Sequence, residues 1–596
     1  MGGMPLAIED YALIGDCHTA ALVGIDGSID WLCLPRFDSP STFGALLGDP
    51  DHGRWLVAPA GEVTAVSRRY VGDSFVLETR WETTTGVVTV TDSMPMADRR
   101  ANVVRQVKGI SGTVTMHQEL TIRFAYATAL PWVRRIKSEG DEIIVATAGP
   151  DSIALRGGPM PRPVDHQHEG DFDVAEGEQV NITLVWYPSH RSVPPRFDVD
   201  AEVRRTVAWW EDWATRSDCP GPYGKQVRRS LLVLRALTHE DTGGIVAAAT
   251  TSLPEAFGGM RNWDYRYCWL RDAALTLTAL LEHGYREEAH DWRRWLLRAI
   301  AGDPEDVQIM YGVAGERELP EHEITSLPGY LGAAPVRIGN GAVDQYQADV
   351  FGEVMVALDN ARQAGVEEGK FSWALQRALM GFLEENWQRK DNGIWEIRGP
   401  ERYFTHSRVM IWVAFDRAVS GVEKFGLDGP VDQWRKLRDT MREEIEEKGF
   451  DTQRNSYVQY YGASGVDAAL LHLPMVGYCA PDDPRMLGTV AAIEKELLRD
   501  GLVLRYRTGH GVDGLPPGEH PFLACSFWLV HQYANTGRID DATKLMDRLV
   551  RFCNDVGLLS EEYDVDGGRQ AGNTPQALSH LALVRAADAL EAATRR

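Results

Sequence analysis

Val409-Met410-Ile411-Trp412-Val413-Ala414-Phe415 is an unbroken apolar run inside a predicted helix over 406–425. The next predicted helix, over 431–448, is charged almost throughout and carries one apolar stripe: Val431, Trp434, Leu437, Met441 and Ile445. A helix that is apolar all round is buried on several sides, whereas a single stripe marks a helix that covers something else. An inner helix is therefore followed, after a short connection, by an outer one.

The alternation extends over the last two thirds of the chain. Predicted helices run over 225–239, 270–284, 287–301, 344–364, 371–389, 406–425, 431–448, 464–477, 486–500, 521–535, 539–555 and 575–593. Connections after the even members are short, about three to nine residues, and those after the odd members are longer, about fifteen to forty. The even helices are also the more apolar, with Phe522–Val530 and Ala577–Val584 nearly continuous runs. Outer–inner hairpins with every long loop at one end give a closed double ring, an (α/α)6 barrel. The competing architecture is an open solenoid of similar hairpins, for which no internal repeat is visible.

Before the helices the pattern changes to short runs of alternating polarity punctuated by Gly, Asp and Pro. They include Ser28–Leu34, Phe75–Glu82, Val87–Asp92, Val114–Phe124, Glu142–Ala146 and Val180–Tyr187. These read as an antiparallel β-sandwich. A helix at about 199–216 carries Trp209, Trp210 and Trp213, which suits a linker clamped to a neighbouring surface. The expected organisation is a β-sandwich over 1–198, a linker helix over 199–219 and a barrel over 220–596.

Composition narrows the partners. A formal charge of −24 disfavours nucleic acid and anionic membranes and suits a neutral small-molecule ligand. No signal peptide is visible in Met1–Asp16, and no apolar run approaches the roughly 18 residues of a membrane span. The seven cysteines have no CxxC spacing, and Cys268, Cys525 and Cys553 lie in or beside apolar helical runs, as buried free thiols would. A cytoplasmic location follows. The sandwich offers a surface for self-association, so a homo-oligomer stays open.

Chemistry-bearing residues gather in the long loops. The first reads Arg261-Asn262-Trp263-Asp264-Tyr265-Arg266-Tyr267-Cys268-Trp269-Leu270-Arg271-Asp272. Aromatic faces stack on sugar C–H surfaces while Arg and Asp bind hydroxyls, a mixture that suits a neutral polyol; a helix cap with an ion pair explains it equally well. The second loop holds Glu316, Glu318, Glu321, Glu323, Tyr330 and Arg337, and its glycines match no phosphate motif. In the third, Glu396 follows Trp395; a carboxyl in an apolar setting has its pKa raised towards neutrality, although most loop glutamates are simply solvated. The fifth supplies Arg505, and the sixth Ser560-Glu561-Glu562-Tyr563-Asp564, where a carboxylate among hydroxyls and other acids is expected to stay ionised. Two carboxyls on one face of a barrel are what glycoside hydrolysis requires. No metal-ligand spacing and no GxSxG element is present, and His166 and His168 lie in a merely polar loop.

At these loops the chain resembles glycoside hydrolase family 15, the glucoamylase-like enzymes, and within it the actinobacterial trehalase branch. The similarity begins at Ile8–Tyr11 and Asp30–Arg36. It continues through Asn262–Asp272, Pro335–Ala342, Gly393–Gly399 and Gly501–Arg507, and ends in Gly572–His580. The resemblance implies a β-sandwich, a linker helix and an (α/α)6 barrel acting with inversion. Glu396 would be the general acid and Glu561 the general base. Arg271 and Asp272 would hold the outer hydroxyls of the terminal glucose, and Trp269, Arg337 and Arg505 would line the pocket. Glu562 beside Glu561 leaves a one-residue ambiguity, which the Ser-Glu-x-aromatic-Asp pattern resolves towards Glu561. Thr574 and Ala571 depart from the residues usual in relatives and bear on fine substrate choice.

The reading is an inverting exo-acting α-glucoside hydrolase with α,α-trehalose as its first substrate. A glucoamylase-type α-1,4/α-1,6-glucosidase on malto- or isomalto-oligosaccharides is the alternative. A disaccharide phosphorylase and a non-catalytic glycan-binding protein are the remaining rivals. No cofactor or metal is called for by any motif; phosphate or magnesium dependence enters only through the resemblance.

Overall fold

The computed structural model describes residues 4–96, 101–511 and 513–595. Between Tyr11 and Pro188 the chain forms antiparallel strands that connect into one hydrogen-bonded network. The sandwich arises from a single 20-residue strand, Asn102–Thr121, that belongs to both layers. Its first half pairs with Gly86–Ser93 and Gln179–Pro188; its second pairs with Arg54–Pro59 and Gln167–Ala175. The crossing depends on glycine. Gly112 has φ 66°, and a Cβ on Gly109 would lie 2.0 Å from the Ala175 carbonyl.

Helix α1, Val199–Ala214, joins the two halves. Asp198 caps it by accepting the Ala201 N–H, and the buried Trp210 and Trp213 face opposite partners. Trp210 meets Phe75 of the sheet edge-on at 5.0 Å, while Trp213 stacks on Tyr285 at 4.0 Å and donates its indole N–H to Glu288. The expected clamp is present, and its two jaws are the sheet and the barrel.

Among the described residues twelve α-helices follow: α2 Gly224–Ala236, α3 Leu270–Glu282, α4 Arg286–Ala299, α5 Asp349–Gln363, α6 Lys370–Asn386 and α7 Thr405–Phe425, then α8 Val431–Lys448, α9 His472–Met475, α10 Pro484–Leu497, α11 Leu523–Asn535, α12 Ile539–Leu549 and α13 Ala577–Thr594. The inner members α3, α5, α7, α9, α11 and α13 each pack on the next, α9 with the 3-10 turn Ala468–Leu471 that leads into it, and α13 returns to α3. The ring closes, so the architecture is the barrel and not the solenoid. In α7 every residue from Thr405 to Phe415 is buried, whereas α8 buries only Trp434, Met441 and Ile445. The eighth helix, expected over 464–477, is the shortest. Pro474 cannot donate to a helix interior and Gly477, at φ 80°, ends it.

All seven cysteines are free thiols; Cys553 and Cys479 are only half-buried. Among the described residues no helix is long and apolar enough to cross a membrane.

Candidate active site

The long loops meet over the ring around a partly open pocket. Trp263, Trp269, Arg271, Asp272, Trp395, Glu396 and Arg505 all line it, as the sequence suggests. Tyr330 and Arg337 do not. Tyr330 is fully buried, donates its hydroxyl to the Leu6 carbonyl and accepts from Arg569, tying the loop to the N-terminus. Arg337 stands behind the wall: it donates to the Met260 and Asn262 carbonyls and lies 4.6 Å from the Trp263 ring, supporting that ring instead of meeting a ligand. Arg398 covers the same ring at 4.3 Å. Thr574 and Ala571 are also off the wall, the first bound through its N–H to Thr250 and the second a strand partner of Glu562.

One side of the cavity is aromatic. Glu396 accepts the Trp269 indole N–H at 2.6 Å and lies 3.9 Å from Arg271, whose guanidinium also pairs with Asp272 at 3.1 Å. Trp395 packs against Tyr506, Phe522 and Trp528. Burial raises the Glu396 carboxyl above the ordinary carboxylate range, against the opposing pull of Arg271 and Trp269. Its backbone is strained as well: φ is 55°, a left-handed conformation that costs a non-glycine residue of order 1–3 kcal/mol. Gln345 holds the strained turn by donating to the Glu396 carbonyl at 3.1 Å, and Asn392 by donating to that of Ile397 at 2.9 Å.

The other side is a buried charge network. Arg505 donates to Glu255 and Glu519, both at 2.8 Å, and lies 3.6 Å from Glu562. Arg261 reaches Asp513 at 2.5 Å, Asp513 accepts the Tyr506 hydroxyl at 3.0 Å, and Glu255 accepts the Trp263 indole at 3.0 Å. Glu561 immediately precedes the strand Glu562–Asp564, and the two carboxylates have different surroundings. Glu562 joins the network, with its second oxygen accepting the His520 N–H. Glu561 instead accepts the Tyr265 hydroxyl at 2.5 Å, and its Oε2 has no protein partner. Gly572 makes room for this carboxylate, since a Cβ there would lie 2.6 Å from Oε2. Glu561 is fully buried behind Tyr265, which is the one of the two that lines the cavity.

The expectation that Glu561 ionises easily is corrected by this burial. Desolvation and the Glu255 charge push its carboxyl up to about 8, with Arg505 and Tyr265 pulling the other way. Glu562 is raised further, by burial and by its acidic neighbours. Glutamates crowded away from water repel one another's charges and keep protons.

Tyr265, Glu255, Glu519, Tyr506, Asp513 and Trp528 belong to the site without having been picked out from sequence. Tyr265 stands inside the first aromatic loop. Tyr506 adjoins Arg505, Trp528 comes from helix α11, and Glu255, Asp513 and Glu519 are brought in by loops. Among the described residues, Glu255, Glu519 and Glu562 are the one acidic or His/Cys group close enough to hold a metal ion. They do not fit a magnesium ion, because the Arg505 guanidinium already occupies the point on which they converge.

With this geometry in place, comparison with known proteins is direct. The model of glycosyl hydrolases family 15 matches residues 221–588. The chain belongs to that family. A second model, the trehalase-like N-terminal domain, matches residues 1–178 of this glycoside hydrolase. Similar relatives are the trehalase of Mycobacterium tuberculosis, 36% identical over 97% of this chain and 89% of its own, and that of Mycolicibacterium smegmatis, 37% identical over 97% and 90%. The trehalase of Thermoplasma volcanium is 34% identical over 98% and 94%. A bacterial glucoamylase complexed with acarbose has the same fold, with a TM-score of 0.75 over 99% of this chain and 95% of its own at 13% identity.

Proposed function

We propose that this family 15 enzyme hydrolyses α,α-trehalose with inversion at one anomeric carbon. The observation that carries the substrate is full-length similarity to trehalases, spanning the sheet as well as the barrel. In this reading Glu396 donates its proton to the glycosidic oxygen as the bond to the anomeric carbon breaks. Glu561, through Oε2, takes a proton from the water that attacks the opposite face. Arg271 and Asp272 bind the outer hydroxyls of the ring being cleaved. Trp269, Trp395 and Trp263 pack on sugar C–H faces, and Arg505 binds the second glucose or steadies the base. Residues 220–596 then carry the reaction, with the sandwich over 1–198 and the linker over 199–219 supporting it. The pool acted on is cytoplasmic, in keeping with seven unpaired cysteines.

Hydrolysis is favoured over phosphorolysis by the electrostatics of the base side. Arg505 and Arg261 each stand beside two or more carboxyls, which disfavours an entering phosphate. The glucoamylase-type alternative rests on the shared fold alone.

The test is a fresh digest of trehalose followed by NMR. Inversion gives equal initial α- and β-glucose, because the attacked ring inverts and the leaving ring stays α. Only α-glucose at first would overturn the mechanism. Turnover of maltose or isomaltose in place of trehalose would move the assignment to the alternative.

A further inference from the structure

Tyr265, the partner of Glu561, stands between Asp264 and Arg266, both inaccessible to solvent. That pair is joined by contacts of 2.9 and 2.7 Å, and Asp264 also accepts the Arg266 backbone N–H. The guanidinium donors facing away from Asp264 cross into the N-terminal sheet. Nη1 donates to the Ser39 carbonyl at 2.8 Å and to the Cys33 thiol at 3.4 Å, and Nη2 to the Tyr126 hydroxyl at 2.8 Å. The sheet holds the same loop a second time. The Trp31 indole donates to the Ala249 carbonyl at 2.9 Å, next to Ala248, whose N–H binds the Tyr265 carbonyl at 2.9 Å.

The turn that presents Tyr126 is unusual. Ala125, Tyr126 and Ala127 have φ of 50°, 56° and 63°, three consecutive non-glycine residues in the left-handed region. Each Cβ crowds the following carbonyl there, so such a run persists only where its surroundings over-determine it. The surroundings here are the Phe124–Ala129 backbone pair and Ser326, which reaches from a long barrel loop to donate to the Tyr126 carbonyl at 2.6 Å. A strained turn is thereby locked between the barrel and the sheet, with its hydroxyl aimed at the arginine that follows Tyr265 in the chain.

We propose that Tyr126 and Arg266 are positioning residues for the general base, so that the N-terminal sheet acts on the chemistry through Tyr265. The inference rests on Glu561 being the base. A Tyr265 hydroxyl held in place favours the ionised carboxylate; a looser one favours the proton.

Tyr126→Phe, which removes a single oxygen, is the test. Expected are a fall in kcat of about 3- to 10-fold, KM unchanged within about 2-fold, and the limb of kcat/KM that Glu561 sets displaced to higher pH. In a Tyr265→Phe background the same change adds less than about 1.5-fold, because its route of action is gone. Ser326→Ala loosens the turn from the other side and should move the limb in the same direction; it decides the matter if Tyr126→Phe fails to fold. An unchanged kcat and limb, or a full additive loss on top of Tyr265→Phe, would overturn the proposal. Glu561→Gln separates the two levels. Inactivity there together with a silent Tyr126→Phe defeats only the positioning role, whereas an active Glu561→Gln removes the reading on which it rests.

Discussion

The two sides of the cavity raise the pKa of a glutamate by different means. Glu396 sits on a strained turn beside tryptophans, with Arg271 the nearest opposing charge, and it remains in view of the cavity. Glu561 is out of view, crowded by Glu255 and Glu562 and relieved by Tyr265 and Arg505. Removal from water favours the proton on the first. On the second, the Glu255 charge comes next after removal from water and adds to it, whereas on the first the next influences, Arg271 and Trp269, oppose it. An acid needs only to be dry, while a base that is dry must also be helped to ionise.

Glu396→Gln and Glu561→Gln should break the comparison most. Each is expected to lower kcat on trehalose by roughly 10²- to 10⁴-fold, measured by glucose release. The two should part on a substrate whose leaving group needs no proton: α-glucosyl fluoride restores turnover to Glu396→Gln and not to Glu561→Gln. Rescue of both, or of neither, would erase the assigned difference. Gly572→Ala attacks the base side alone, because its Cβ would lie 2.7 Å from that of Glu561. A loss of roughly 1–3 kcal/mol in unfolding stability is expected, with a disproportionate fall in kcat.

Glu255→Gln tests the electrostatics. An anion near Glu561 raises its pKa, so a neutral amide lowers it and the base ionises at lower pH. The limb of kcat/KM that Glu561 sets should move to lower pH while the limb set by Glu396 stays. Movement in the opposite direction would mean that Glu255 acts mainly by orienting Arg505. The smallest effect is expected from Gln345→Leu, which frees the carbonyl of the acid's turn; kcat should fall by roughly 3- to 5-fold with no shift in the limb that Glu561 sets.

Much of this was legible in the sequence, for reasons that also mark where legibility ends. The ring could be read because an inner helix such as α7 is apolar on all sides and an outer one such as α8 is not. The first half of the strand Asn102–Thr121 went unread because Arg105, in the middle of it, is charged and yet completely buried, paired with Asp92. A pattern based on polarity cannot anticipate a charge that its partner carries inside. Glu396 and Glu561 could be placed by motif and loop. Their surroundings could not, since Glu255, Arg505 and Glu519 meet only after the ring has closed. Tyr330 and Arg337 had the composition of ligand-binding residues, but backbone carbonyls took their donors first.

The closure of the ring has a temporal side. The helix that completes it, α13, follows the other eleven along the chain, and it packs on α2, α3 and α11 at once. Until it leaves the ribosome the sheet can fold, since domains form from the N-terminus as they emerge, but no complete cavity exists for glucose units to enter. A chain that stopped before Ala577 would possess both glutamates and no room in which they could meet. The position of the closing helix thus ties the appearance of activity to the synthesis of α13 itself.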